Sequence, residues 1–284
     1  MPHSPSRIVQ SAILITLLAV TSGNAQSASP IQPPNPTELR VIYSTGFEDA
    51  DWLSDWNDVG HRQNMQCVDS SDRSDVPSPS GDGRSTGKVL QVTVAKDGHY
   101  GCAPQLMFQR HLGSLPDEVY ASYDVCFADN FSGYGGKAPG WSGIESVGWG
   151  GKPSDGINGW SARGGIHTND DGTLGLSYYT YHARMRGKYG DSFRWTGPAA
   201  AIKTGRWYHI DQYCKINTPG RPDGVLRAWV DGELVLDKTD VQMRNTNQLG
   251  LKSYWLNYYY GGKGVSAHER HVYLDNLTLM TPKR

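Results

Sequence analysis

Apolar and polar residues alternate along several stretches of this chain, the period-two signature of strands with one buried face. Lys88–Ala95 (KVLQVTVA) follows it, and so does Tyr120–Phe127 (YASYDVCF), where Ala121, Tyr123, Val125 and Phe127 fall on one side. In Trp207–Ile216 the same rule groups Ile210, Cys214 and Ile216. Val225–Leu236 holds two apolar runs around Asp231-Gly232, a hairpin signal. His271–Met280 reads as a further strand. No stretch carries a sustained helical period, so the pattern predicts an all-β sandwich of many strands.

The N-terminus departs from that pattern. Arg7, the short apolar run Ile13–Val20 and the small residues up to Ala25 have the three parts of a secretory signal peptide, expected to span 1–25. The run is too short for a membrane anchor. Residues 26–39, rich in Pro, Ser and Gln, read as a flexible leader, and a single domain is expected over 40–284. Asp69–Gly87 reads as a long surface loop. The expected location is therefore extracellular or periplasmic. In such a compartment the four cysteines, Cys67, Cys102, Cys126 and Cys214, suggest disulfides. Three pairings are open, with Cys67–Cys102 and Cys126–Cys214 preferred.

Composition supports the β reading: 34 Gly for turns, and 16 Tyr and 9 Trp for strands and core. Tyr and Trp also stack on sugar rings. The formal net charge of -1 gives no reason to expect nucleic-acid binding.

Chemistry concentrates between Tyr134 and Asp191. Gly135-Gly136-Lys137 presents an ammonium group after a flexible turn. Ser161 and Arg163 share one strand face, as do Tyr179 and Tyr181. If those two strands are neighbours, one surface carries Arg163, Ser161 and both phenols, with Lys137 reaching its edge from the loop. Such a set suits elimination beside a carboxylate: the cations neutralise the charge that builds up as the α-proton leaves. A tyrosine beside those cations is expected to have a lowered pKa and to act as base, and the same or a second tyrosine would protonate the leaving oxygen.

The runs GGKAPG (135–140), WSARGG (160–165) and YYTYHARMRGKYGD (178–191) resemble the conserved segments of polysaccharide lyase family 14, which includes alginate and glucuronan lyases. The resemblance extends from about Phe47 to the C-terminus. It implies a two-sheet β-jelly-roll (concanavalin A-like), an enzyme acting on an anionic polysaccharide, and a groove lined by Lys137, Ser161, Arg163, Tyr179 and Tyr181. Ala138 and Trp141 stand where the family has leucines, and Ile144–Ile157 is a Gly-rich insert that carries Trp149. His167, His182, Trp141, Trp149, Trp160, Lys252 and Lys263 are further candidates for holding substrate.

No cofactor is expected to be required. Glu48 and Asp275 could join a structural calcium site. A monomer is expected, without nucleic-acid or membrane partners. The alternatives are a non-catalytic sugar-binding module of the same fold, and a glycoside hydrolase. The hydrolase would need two carboxylates flanking the bond, and the E-x-D-x-x-E strand of sandwich hydrolases is absent. No G-x-S-x-G elbow supports Ser-His-Asp chemistry either.

Overall fold

The computed structural model describes residues 31–49, 51–57, 59–72, 87–131 and 135–283. The expected signal peptide and most of the Asp69–Gly87 loop lie outside these residues. The strands are β1 (Leu39–Thr45), β2 (Met65–Asp69), β3 (Lys88–Val94), β4 (Tyr100–Cys102), β5 (Gln105–Met107) and β6 (Glu118–Phe127). They continue with β7 (Gly136–Ser142), β8 (Ser161–Thr168), β9 (Leu174–Tyr181), β10 (Asp191–Arg194), β11 (Ala201–Ile202) and β12 (Trp207–Lys215). The series ends with β13 (Gly224–Val230), β14 (Glu233–Val241), β15 (Ser253–Trp255), β16 (Tyr258–Tyr260) and β17 (Arg270–Pro282).

These strands form two antiparallel sheets, a β-jelly-roll sandwich. The first is eight-stranded in the order β14-β13-β12-β6-β17-β3-β2, with β1 also on β17. The second is nine-stranded in the order β10-β9-β8-β7-β15-β5, with β11 on β9, and β16 joining β4 to β7. The inner faces close one large core. Ala121, Tyr123, Val125 and Phe127 of β6 and Ile210 and Cys214 of β12 meet Ala162, Ile166, Leu176 and Tyr178 of β8 and β9 there. The hairpin turn falls at Asp231-Gly232, with φ of 49° and 81°, the left-handed pair such a turn requires.

Several expectations are corrected. Lys137 sits within a strand, not a loop: β7 is paired with β8 on one side and with β15 and β16 on the other. Within the expected leader, the Trp229 indole donates to the Ile31 carbonyl at 2.9 Å. None of the four cysteines is disulfide-bonded. Cys214 pairs with Val119 and Cys126 with Trp207, so the two lie about seven residues apart along the sheet, roughly 23 Å. They also join different clusters on its two faces. Cys67 lies in the first sheet and Cys102 in the second.

Trp141 and Trp160 are the other corrections. Both are fully buried in the inter-sheet core. The Trp141 ring meets Tyr254 edge-on at 5.0 Å, and the Trp160 indole donates to the Gly250 carbonyl at 3.1 Å. Neither can touch a substrate. Trp160→Ala should therefore destabilise the fold by about 3–5 kcal/mol in urea unfolding. A loss below ~1 kcal/mol would remove Trp160 from the core.

Candidate active site

The outer face of the second sheet carries the site. Register across β8 and β9 opposes Ser161 to Tyr181, Arg163 to Tyr179, Gly165 to Ser177 and His167 to Gly175. Their neighbours in sequence, Ala162, Tyr178 and Thr180, are fully buried on the inner side. Alternation thus delivers the arginine and both phenols to one surface.

Two glycines let long cationic side chains cross the sheet. Lys137 on β7 is the register partner of Gly165 on β8. With no side chain in between, its Nζ lies 3.8 Å from the centre of the Tyr179 ring, one strand further on. Gly140 on β7 opposes Trp255 on β15. A Cβ at Gly140 would come within 2.4 Å of the Ala162 carbonyl and 2.8 Å of the Arg163 Cα. The glycine lets the Arg163 guanidinium stand 5.1 Å from the Trp255 ring.

Phenols surround the cations. Arg163 donates to the Tyr259 hydroxyl at 2.5 Å. The Tyr179 and Tyr181 hydroxyls are 3.5 Å apart. Backbone N–H groups from the flanking loops complete the set, Gly190 to Tyr179 at 3.1 Å and Gly151 to Tyr181 at 2.9 Å. The Ser161 hydroxyl is buried and donates to the Gly148 carbonyl at 2.6 Å, so it anchors the 144–157 loop.

Charge is unbalanced here. Arg163 is only 5% exposed, and its Nε has no partner. Among the described residues no carboxylate pairs with Arg163 or Lys137. Burial first, and Arg163 second, push the Lys137 amine down to about 7. Tyr179 goes the other way, up to about 12, because burial and the neighbouring Tyr181 outweigh the Gly190 N–H and Arg163. The expectation of a cation-lowered tyrosine fails at this residue. Burial also raises Tyr259, against the pull of Arg163.

The remaining candidates lie outside the cluster. His182 is hydrogen-bonded to Asp191 at 2.7 Å and packs on Phe193. Asp191 and Phe193 oppose the core-facing Thr180 and Tyr178, so His182 stands apart from the phenols. His167 shares the outer face but is four residues beyond Arg163, roughly 13 Å along the strand. Lys263 is exposed on a turn whose Gly261 approaches Lys137: a Cβ there would lie 4.0 Å from Nζ. Tyr259 and Trp255 escaped the sequence reading, because β15 and β16 join β7 from far along the chain.

Glu48 accepts from the Lys88 N–H at 3.0 Å and Asp275 from the Asn276 N–H at 2.7 Å. Among the described residues no group of three or more His, Cys, Asp or Glu side chains is placed to hold a metal.

A Ser-His-Asp line does occur, on the first sheet. Asp124 meets His209 Nδ1 at 2.7 Å, and His209 Nε2 is 3.1 Å from the Ser122 hydroxyl. Asp124 and then Asp211 raise His209 to about 10. The charged ring paired with Asp124 ties β12 to β6.

The Polysaccharide lyase 14 family profile matches residues 84–276, and the chain belongs to that family. It is a polysaccharide lyase. Among solved structures it is similar to the alginate lyase Aly36B, at 25% identity over 76% of this chain and 96% of that one, with a TM-score of 0.60. The PL-14 alginate lyase of Aplysia kurodai shares the fold at 18% identity over 86% and 100% of the two chains, with a TM-score of 0.64. An endo-β-1,4-glucuronan lyase from Trichoderma reesei does so at 14% identity over 81% and 92%, with a TM-score of 0.50. No curated protein matches.

Lys137 should show its perturbed amine directly. Side-chain nitrogen NMR of the lysines should contain one signal titrating near 7 that is absent from Lys137→Met. If every lysine titrates at the ordinary ~10.4, the amine is not perturbed.

Proposed function

We propose that this lyase cleaves a uronate polysaccharide of the alginate or glucuronan class by β-elimination, with Lys137 as base and Tyr179 as acid. One observation carries the reading: the buried Arg163 guanidinium stands in the groove beside the Lys137 amine, and among the described residues no acidic side chain neutralises it. A buried charge without a counter-ion is costly, and a substrate carboxylate removes that cost. Structures of Aly36B with alginate oligosaccharides agree with a substrate of this kind. A non-catalytic sugar-binding module is not favoured, since the chain belongs to a polysaccharide lyase family.

The substrate carboxylate lies against Arg163, whose planar fork suits two-point binding. Neutral Lys137 takes the C5 proton. The electron pair of that C–H bond forms the C4–C5 double bond, and the C4–O bond breaks. The departing oxygen takes the Tyr179 proton, which that phenol still holds at neutral pH because its pKa stands at about 12. A proton passes from Lys137 back to Tyr179 to reset the site. Tyr181 orients Tyr179, and Tyr259 holds Arg163. The groove is complete within one chain, which supports action as a monomer. The sequence of residues 1–25 supports export.

Incubation with alginate and with glucuronan should raise the ultraviolet absorbance of unsaturated uronates on at least one of them. Reducing ends without that absorbance would mean hydrolysis. Tyr179→Phe and Arg163→Ala should each cut turnover at least ~100-fold while thermal unfolding stays cooperative, the size of a general-acid or electrostatic contribution; near-normal rates in both would remove the site assignment. Because the amine must be neutral to act, kcat/KM should climb as pH rises through about 7. A flat profile there would take the base role from Lys137.

A further inference from the structure

Beside the cationic cluster the same face holds a recess of about 320 Å³ lined by Gln105, Met107, Ile144, Trp149 and Trp255. Building on the lyase reading, we propose that this recess is a uronate-binding subsite. A second sugar of the bound chain stacks on Trp149 and Trp255, and its carboxylate meets Lys152.

The rings are suited to stacking. Trp255 is half-buried and fixed, its indole donating to the Ala103 carbonyl at 2.8 Å. Trp149 leaves 40% of its surface in water, a large exposed apolar area. The C–H bonds on the flat side of a sugar carry partial positive charge and meet the negative face of an aromatic ring. The volume lies at the small end of ligand pockets, which start at about 300 Å³ and match a single sugar unit better than a drug-sized ligand.

The recess and the reacting groups are continuous. Trp255 touches both, lining the recess while its ring faces the Arg163 guanidinium at 5.1 Å. In the sheet order β9-β8-β7-β15, three strand spacings, about 14 Å, separate the phenols' strand from that of Trp255. A polysaccharide crossing the strands with one unit at the phenols therefore places another at the tryptophans.

Charge points to a uronate and not to a neutral sugar. The exposed Lys152 amine stands 4.6 Å over the Trp149 ring, and among the described residues it has no acidic partner. The turn presenting both residues is fixed beforehand: Lys152 N–H donates to the Trp149 carbonyl at 2.8 Å and Gly148 N–H to the Lys152 carbonyl at 2.9 Å. An ion pair from Glu145 to Lys252 holds the loop to the residue preceding β15. Little ordering is left to be done when a sugar arrives.

The test is calorimetric titration in a Lys137→Ala background, which holds substrate without cutting it. Glucuronan and alginate oligosaccharides from disaccharide to octasaccharide serve as probes. Adding Trp149→Ala should weaken the long oligomers at least tenfold and leave the shortest unchanged, and Trp149→Tyr should restore most of the loss. Lys152→Gln should weaken uronate oligomers only, with neutral cello-oligosaccharides binding poorly throughout. Equal weakening at every length, or none, overturns the subsite. Neutral oligomers bound as tightly as uronates overturn the role of Lys152. Elimination by the unaltered enzyme is assayed separately: a length-dependent Trp149 effect with no unsaturated product would keep the subsite and discard the lyase chemistry.

Discussion

The active face depends on one constraint, the alternation of side chains across β8 and β9. Each strand must fill the sandwich core with one set of residues and build the groove with the other. Ala162, Ile166, Leu176 and Tyr178 point inward, while Arg163, Tyr179 and Tyr181 point outward. A slip of one residue would drive Arg163 into the core and expose Tyr178. The tight inner packing therefore fixes the register, and the register fixes the distances among the reacting groups.

That rigid face holds positive charge in a poorly solvated place. The arrangement is unfavourable for the empty protein and favourable once an anion arrives, so affinity for a carboxylate and preparation for chemistry share one origin. Burial acts on the proposed acid and base in opposite senses. It drives the Lys137 amine toward its neutral form and keeps the Tyr179 phenol protonated. Two groups whose proton affinities are pushed apart in this way can hand a proton in one direction across a sugar.

Much of this was legible in the chain. Period two located β3, β6, β8, β9, β12 and β17, and it placed Arg163, Tyr179 and Tyr181 on shared faces. The same rule, carried one residue back from Ser161, turns Trp160 inward. GGKAPG reads as a turn because Gly and Pro weaken strands, yet pairing on both edges makes it β7. The direction of the Tyr179 shift was hidden, since it depends on burial and on a neighbouring phenol. Cys126 and Cys214 do lie in adjacent strands, but their register and their faces keep them apart. Trp255 and Tyr259 were invisible, because only the folded sheet brings residues 253–260 beside β7.

The loop over the groove is joined to the reacting groups through main-chain atoms alone: the Gly148 carbonyl to Ser161 and the Gly151 N–H to Tyr181. Both glycines adopt positive φ, 93° and 81°, so these two positions are held to their residue type. The Trp149 and Lys152 side chains make neither of these two contacts. Substitutions at Trp149, Lys152 or their neighbours can accumulate without disturbing the proton-transfer groups, so a lineage can drift from one acidic glycan to another while its chemistry stays the same.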